Sequence, residues 1–262
     1  MSNNGKVLIA ILARDKEATL PLYLECIEKL DYDKKNIVLY IRTNNNSDNT
    51  VNILFDFVFK NKDAYGEIIF DNTNINKELT THHSWNADRF SVLGDIRKES
   101  LDIALQHKCD YYFVADCDNF ILPHTLKNLM RFDVPIIAPF LVSDQSNYYS
   151  NYHYEVDDNG YLHSEDKYMW VFSRVAKGTF QVKVVHCTYL IKAEFLDRLQ
   201  YNDGSGRHEY VIFSDSARKN DISQYIDNTD VYGLITFKTT KEEMQDINYG
   251  NFQNIMRTYN IF

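Results

Sequence analysis

The sequence has no excess of basic residues. Its 28 lysine and arginine residues are outnumbered by 37 aspartate and glutamate residues, which gives a formal net charge of -9. Because the phosphate backbones of nucleic acids and the surfaces of anionic membranes attract cationic proteins, this balance argues against both as partners. Any phosphate group that the chain binds must therefore be held by a few local cations.

The chain also lacks the cysteine spacings of disulfide-rich or zinc-binding domains. Its four cysteines, Cys26, Cys109, Cys117 and Cys187, form neither a CxxC pair nor a cysteine–histidine finger pattern, and three of them lie in apolar helix or strand patterns. We interpret all four as buried free thiols.

Long apolar runs are absent as well, since none reaches the length of a transmembrane helix. The first six residues are polar and lead directly into an apolar run, which leaves no room for a signal peptide. We therefore expect no membrane span and a soluble chain that is cytoplasmic as encoded. No repeat or low-complexity tract appears.

What is present is an alternation of strand and helix patterns. Residues 7–13 form a continuous apolar run, typical of a strand buried on both faces of a parallel sheet. A helix follows, with Thr19 as a cap and Pro21 in its first turn. A second helix follows Asp48, which we predict as its N-cap, and its predicted inner face consists of Val51, Leu54, Phe55, Val58 and Phe59. Further strands are predicted at 37–41, 67–70, 111–115, 134–141, 180–191 and 221–226, and further helices at 90–105, 123–132, 194–199 and 208–219.

This order of elements predicts an α/β protein with a parallel, nucleotide-binding first half. After residue 142 the chain becomes rich in tyrosine, and Asp157 to Gly160 predicts a hairpin turn, so we expect a smaller, partly antiparallel section there. The predicted organisation is a single domain over 1–262, with a nucleotide-sugar-binding half (1–141), an acceptor-binding half (142–237) and a C-terminal tail (238–262).

Two carboxylates follow the short buried strand at 111–115. Asp116 and Asp118 stand where that strand ends, and ligands of open α/β sheets bind at the carboxyl ends of strands. Paired aspartate oxygens suit a hard divalent cation such as Mg²⁺ or Mn²⁺, although an Asp-x-Asp triplet also occurs as a solvated turn.

Arg97 falls on or beside the apolar face of the helix predicted at 90–105. An arginine on the buried side of a helix needs an anionic partner, and a diphosphate and a structural carboxylate are equally good partners. Glu209, at the start of a late helix, adds a carboxylate that could take a proton from an acceptor hydroxyl.

Several stretches carry a family likeness, in the same order from about residue 7 to about residue 234. They are 7–14 (VLIAILAR), 47–50 (SDNT), the segment with Trp85 and Arg97, 112–122 (YFVADCDNFIL), 137–139 (IAP), 149–152 (YSNY) and 185–191 (VHCTYLI). With these stretches the chain resembles metal-dependent glycosyltransferases of the GT-A fold, and most closely the catalytic domain of the procollagen galactosyltransferases.

The resemblance implies a Rossmann-like GT-A domain with a mostly parallel central sheet and helices on both faces. It also implies inverting transfer of galactose from UDP-galactose, with Mn²⁺, to 5-hydroxylysine in a collagen-like acceptor. The implied metal ligands are Asp116, Asp118 and His186, and the implied donor or sugar contacts are Arg14, Asp48, Arg97, Asp116, Asn151, Trp170 and Trp85. His186 could equally be a hydrogen-bonded histidine within a strand.

The chain departs from the family pattern at four points. Relatives have an acidic pair where this chain has His208 and Glu209, so we predict Glu209 as the catalytic base; its other interpretation is a carboxylate that stabilises the helix dipole. Asn44 stands where relatives carry an acidic residue. The second domain and the secretory signal of typical relatives, which act in the endoplasmic reticulum, are not seen.

Three other functions fit parts of the pattern. UDP-glucose differs from UDP-galactose at one hydroxyl and could be the donor, on the same type of acceptor or on another glycan. A non-catalytic domain that binds nucleotide-sugar or collagen would need the same pocket. A sugar nucleotidyltransferase would also use aspartate and a metal, but the first loop from Arg14 to Pro21 has no glycine for a phosphate-binding turn.

Overall fold

An eight-stranded sheet forms the centre of the structure, a computed structural model that describes residues 5–75, 87–143, 146, 148–163 and 166–245. The strands are β1 (Val7–Ala13), β2 (Ile37–Thr43), β3 (Glu67–Asp71), β4 (Tyr111–Ala115), β5 (Asn119–Ile121), β6 (Ile136–Pro139), β7 (Val142–Ser143), β8 (Tyr152–His153), β9 (Glu155–Val156), β10 (Leu162–His163), β11 (Thr179–Val182), β12 (Val184–Val185), β13 (Thr188–Lys192), β14 (Gln224–Asp227) and β15 (Gly233–Ile235). The helices are α1 (Leu20–Glu28), α2 (Thr50–Asn61), α3 (Ala87–Gln106), α4 (Thr125–Leu129), α5 (Asp166–Phe172), α6 (Glu209–Lys219) and α7 (Lys241–Gln245), with 3-10 turns at Lys34–Asn36 and Ala193–Arg198.

The strand order in the central sheet is β11-β14-β6-β13-β4-β1-β2-β3. Strand β1 pairs in parallel with β2 and β4, β2 pairs in parallel with β3, and β6 pairs in parallel with β14. Strand β13 runs antiparallel between β4 and β6, and β11 is antiparallel at the edge. The mostly parallel α/β sheet that the sequence predicts is therefore confirmed.

Alternate side chains of β1 enter two separate hydrophobic cores. Val7, Ile9 and Ile11 pack on one face with α1 and α2, whereas Leu8 and Ala10 pack on the other with α3 and α6. Successive strand residues point to opposite faces, so a strand that is apolar throughout must be covered on both sides. The continuous apolar run therefore predicted correctly that helices lie on both faces.

Three strands after residue 142, namely β11, β13 and β14, belong to the same sheet as the strands before it, while the other later strands form small separate sheets. Strand β13 lies between β4 and β6, and β14 continues the sheet beyond β6. The predicted boundary at residue 141 is thus not a break in the sheet, and the assignment of 1–141 to the donor and 142–237 to the acceptor stays a prediction. The predicted hairpin is present, since β9 and β10 pair around the turn that Gly160 closes onto Asp157.

The inner face predicted for α2 is right at Leu54, which is buried, and wrong at Phe55 and Phe59, which are 59% and 69% exposed. Val51 and Val58 are half-buried, and Phe57 and Asn61 are buried although the sequence does not predict them as inward. The segment is apolar on more than one face, so periodicity alone fits two orientations. The amide Nδ2 of Asn61 donates to Phe57 O and to Glu28 Oε1 of α1, contacts that a sequence pattern does not show.

The strand predicted at 180–191 is three shorter strands, β11, β12 and β13. The chain leaves the central sheet after β11, because β12 pairs with β8 in a separate two-stranded sheet, and it returns to the central sheet at β13. Between β12 and β13, His186 N donates to Asn151 O and Cys187 adopts a left-handed φ of 62°. The predicted helix at 123–132 shortens to α4, and the strands predicted at 134–141 and 221–226 become β6 and β14.

Strand β15 fixes the loop that carries the two aspartates, and Gly233 makes this possible. Strand β15 pairs with β5, directly after Asp118, and Gly233 has a φ of 155°. A Cβ on Gly233 would lie 2.2 Å from Phe120 O, a contact that only backbone movement can relieve.

Gly233→Ala is therefore expected to lower the free energy of unfolding by about 3 kcal/mol, measured by urea denaturation. Gly204→Ala is the matched control, because Gly204 also has a positive φ of 75° but a Cβ there meets nothing within 4 Å. The control should lose about 1 kcal/mol, the cost of the left-handed backbone alone. Equal losses in both variants would show that the close approach at Phe120 carries no extra cost.

Candidate functional site

A cleft opens at the carboxyl ends of the three central parallel strands. Arg14 follows β1, Asn44 follows β2 and Asp116 follows β4, and the parallel register brings all three to one edge of the sheet. The cleft has a cavity volume of about 230 Å³. It lies where the strand pattern predicts a ligand.

Arg97, in the wall of the cleft, joins two carboxylates: Asp116, which also lines the cleft, and Glu209, which is buried and is not part of the lining. Its Nη2 lies 2.6 Å from Asp116 Oδ1, and its Nε lies 3.6 Å from Glu209 Oε1. The side chain is almost fully buried, so the guanidinium needs these anions to offset its desolvation. The predicted anionic partner of Arg97 is thus a pair of carboxylates, one after β4 and one at the start of α6.

Burial raises the pKa of both carboxyl groups, despite the opposing effect of the arginine. For Asp116, desolvation is the largest influence on the pKa, and Arg97 acts against it. For Glu209, desolvation again raises the pKa and Arg97 lowers it. Both carboxylates are therefore more basic than exposed ones.

Lys16 pairs with the second aspartate of the triplet. Its Nζ lies 2.6 Å from Asp118 Oδ2, and the two side chains are 31% and 27% exposed. Burial lowers the pKa of Lys16, but the charge and hydrogen bond of Asp118, together with Cys117 and Asp116, raise this pKa overall. The backbone of this loop is fixed, because Lys16 N donates to Thr50 Oγ1 at 2.7 Å.

The cleft is cationic although the chain is acidic. Among the described residues that line it, six are cations and three are carboxylates. The cations are Arg14, Lys16, Arg42, Arg89, Arg97 and Lys238, and the carboxylates are Asp15, Asp116 and Asp118. Arg97 Nη1 is buried without a hydrogen-bond partner among the described residues. Arg14 Nε also makes no hydrogen bond there, although it lies 3.5 Å from Asp15 Oδ2. Buried donors without hydrogen bonds and surplus positive charge suit an anionic ligand such as a diphosphate.

The two aspartates fit a divalent cation that shares its ligands with a phosphate. The side chains of Asp116 and Asp118 are each 27% exposed, and Mg²⁺-type sites often combine one or two carboxylates with substrate phosphates and water. Within the described part of the chain, no group of three or more histidine, cysteine, aspartate or glutamate side chains could hold a metal ion. The described residues alone therefore offer an incomplete set of metal ligands.

His186, predicted as a further ligand, lies outside the lining of the cleft. It is buried, and its Nδ1 lies 2.9 Å from Cys187 Sγ. Burial lowers its pKa well below the ordinary value, with His153 adding to the effect, so the imidazole is neutral. These contacts match the alternative of a histidine held within the fold, and a metal role for His186 stays a prediction.

Besides His186 and Glu209, three other predicted residues lie away from the lining of the cleft. The two carboxylate oxygens of Asp48 accept backbone N–H groups from Glu17 and from Thr50, the first residue of α2. The N-cap of α2 is Asn49, one residue after the predicted position, so Asp48 stabilises the start of the helix from just before the cap. Asn151 is fully buried and bridges Leu141 N and Pro139 O. Trp170, on α5, is 55% exposed. Their donor or sugar contacts stay predictions, and Trp85 lies outside the described residues.

The sequence predictions missed the contribution of the C-terminal segment. After β15, Thr236 N donates to Asp118 O, and Lys238 and Thr239 line the cleft. Lys241 Nζ then lies 3.3 Å from Glu17 Oε2 on the first loop. The start of the predicted tail, 238–262, therefore crosses the site. No local pattern signals this, because it depends on the pairing of β15 with β5.

Comparisons with known proteins agree with this geometry. The family model described as "Glycosyltransferase family 25, N-terminal domain" matches residues 4–256. The chain is 30% identical over 241 residues to procollagen galactosyltransferase 1-A of Xenopus laevis, covering 88% of this chain and 39% of that protein. It is 29% identical over 240 residues to the human inactive glycosyltransferase 25 family member 3, covering 87% of this chain and 40% of that protein. The chain thus spans about two fifths of the length of these relatives.

A solved structure shows the fold. The mannosyltransferase PcManGT from Pyrobaculum calidifontis, in complex with GDP-Man and Mn²⁺, matches with a TM-score of 0.56 and 14% identity, covering 98% of this chain and 61% of that chain. The predicted GT-A fold is confirmed. Among the described residues, no helix is both long enough and apolar enough to cross a membrane.

Proposed function

The chain belongs to glycosyltransferase family 25, and we propose that it transfers galactose from UDP-galactose to 5-hydroxylysine of a collagen-like acceptor, with inversion and with Mn²⁺. The observation that carries the proposal is the cationic cleft at the carboxyl ends of β1, β2 and β4, with Asp116 and Asp118 on its wall. This arrangement suits a nucleotide diphosphate with a divalent cation.

Asp116 and Asp118 would hold the metal, which supplies Lewis-acid stabilisation of the negative charge on the leaving diphosphate. Arg14, Lys16 and Lys238 line the same cleft and contribute cationic donors for the diphosphate oxygens. Arg97 is too buried to move, and it fixes the direction of the Asp116 carboxylate through the 2.6 Å contact.

Glu209 is the proposed base that takes the proton from the acceptor hydroxyl. It lies in the first turn of α6, and Arg97 connects it to Asp116. Inverting transfer needs a single base on the acceptor side, and a carboxylate with a raised pKa accepts a proton more readily than an exposed one.

A second function has support from the same comparisons. The chain is about as similar to the relative described as inactive as it is to the procollagen galactosyltransferase. The sequence identity to these two relatives is therefore equally compatible with a non-catalytic domain that binds nucleotide-sugar or collagen. A glucosyltransferase that uses UDP-glucose is the other alternative, because the donors differ at one hydroxyl.

Incubation with Mn²⁺ and a hydroxylysine peptide is expected to add one hexose to the peptide when UDP-galactose is the donor, as read by mass spectrometry. The matched control is the same peptide with lysine in place of hydroxylysine, which should gain nothing because the accepting oxygen is missing. Equal transfer from UDP-glucose would reassign the donor. Binding of UDP-galactose without any transfer would favour the non-catalytic function.

A further inference from the structure

Each carboxylate of the Asp-x-Asp triplet already has a cationic partner from the chain itself. Asp116 contacts Arg97 at 2.6 Å, and Asp118 contacts Lys16, also at 2.6 Å. These distances are those of charge-assisted hydrogen bonds, the strongest class in proteins. A metal ion that binds Asp116 Oδ1 or Asp118 Oδ2 must therefore compete with an internal cation for that oxygen.

The two internal cations, Arg97 and Lys16, differ in how easily their side chains can move away from the aspartates. Arg97 is 5% exposed and is held on a second side by Glu209, so its guanidinium is fixed. The Lys16 side chain is 31% exposed, and its ammonium is a point charge on a flexible stem. Because the Lys16 backbone is tied to Thr50 Oγ1, movement of Lys16 is a rotation of its side chain within the cleft.

Lys16 and a divalent cation exclude each other at Asp118 Oδ2. A cation of the Mg²⁺ type binds a carboxylate oxygen at about 2.1 Å, closer than the ammonium lies now. Two cations on one oxygen would repel each other at short range inside a partly buried cleft. The ammonium must therefore move before the metal takes this oxygen.

We propose that Lys16 is an internal counter-ion that occupies Asp118 in the nucleotide-free protein and transfers to the diphosphate when the donor binds. Metal uptake is then coupled to nucleotide uptake. The inference rests on the metal and the nucleotide-sugar donor of the proposed function, and it assigns Lys16 a positioning role that the sequence motif does not show.

The coupling follows from charge and is reciprocal. The diphosphate offers Lys16 a new anionic partner in the same cleft, and the released carboxylate offers the metal a ligand. Whatever factor UDP adds to the affinity for the metal, the metal must add to the affinity for UDP. Without a nucleotide, the metal has to displace Lys16 with no compensation.

The test is a Mn²⁺ titration of the full chain, followed by the electron paramagnetic resonance signal of free Mn²⁺. Saturating UDP is expected to tighten Mn²⁺ binding to the wild-type chain by about tenfold or more. Lys16→Met, which keeps the length of the side chain without its charge, should bind Mn²⁺ about tenfold more tightly than wild type in the absence of UDP. UDP should then add less to the affinity of the variant.

Two controls separate this exchange from a general change in charge. Lys127→Met removes a lysine from an ion pair of similar length, 2.8 Å to Asp31, on the surface, and should leave Mn²⁺ binding unchanged. Lys16→Arg keeps the positive charge and should stay close to wild type. Thermal unfolding checks that each variant is folded. Lys16→Gln, like Lys16→Met, is expected to bind Mn²⁺ more tightly than wild type in the absence of UDP.

Equal Mn²⁺ affinities of Lys16→Met, Lys16→Gln and wild type without UDP would overturn the inference, even where hexose transfer is observed. Wild-type binding that is independent of UDP would overturn it as well. The opposite pattern, with the expected Mn²⁺ affinities but no hexose transfer from any donor, supports the role of Lys16 and overturns the proposed reaction.

Discussion

Asp118→Asn is expected to lower the rate of sugar transfer by about 10² to 10³-fold while the fold stays intact. The amide lacks the charge that holds a divalent cation, so the negative charge of the leaving diphosphate loses its stabilisation. The fold should survive because the Asp118 and Lys16 side chains are both partly exposed, and the bond from Thr236 N to Asp118 O involves only the backbone. Steady-state kcat and the thermal unfolding midpoint measure the two effects.

Asp116→Asn should differ from Asp118→Asn in its effect on stability. The charge of Asp116 offsets that of the buried Arg97, and removing one partner of such a pair costs about 3 kcal/mol. Asp31→Asn is the matched control, since it breaks the exposed pair with Lys127 and should change neither rate nor stability appreciably. Full activity of Asp118→Asn with Mn²⁺ and donor present would contradict the assigned metal site.

The parts of the site that could be predicted are those coded by local sequence. The apolar strand β4 ends at Ala115, so Asp116 and Asp118 had to emerge at the edge of the sheet where β1 also ends. Arg97 lies on the buried side of α3, which required an anion, and the structure supplies Asp116 and Glu209. Apolar periodicity and the cost of burying a charge were sufficient for these predictions.

The parts that could not be predicted depend on contacts between distant segments. Lys16 is one charge in a charged loop, and its partner becomes clear only when β1 and β4 lie side by side. Lys238 reaches the cleft because β15 pairs with β5. For α2, the packing of Asn61 against Glu28 decided which face of an apolar helix is buried. Sequence spacing carries no signal for such pairings.

Glu209→Gln is expected to reduce hexose transfer by about 10² to 10⁴-fold while UDP binding is unchanged. Glutamine has nearly the same volume and can still accept a hydrogen bond near Arg97, but it cannot take the proton of the acceptor hydroxyl. In the wild-type chain, burial raises the pKa of Glu209 above the ordinary glutamate value of 4.5. Because a protonated carboxyl group cannot act as a base, the transfer rate should decrease as the pH falls through this raised pKa. The measurements are kcat across the acid range and the UDP dissociation constant by calorimetry.

Glu194→Gln is the control for this substitution. Glu194 also lies in the first turn of a helical segment, but it is exposed and borders a depression with Gly5 and Asp110, away from the cleft. This variant should keep both transfer and UDP binding. If Glu209→Gln weakens both UDP binding and transfer, Glu209 is a positioning residue that holds Arg97 against Asp116, because loss of its charge then disturbs the side of the cleft that binds the donor. If the variant loses transfer but keeps UDP binding, Glu209 is the proton acceptor, because a proton acceptor affects the reaction and not the binding of the nucleotide.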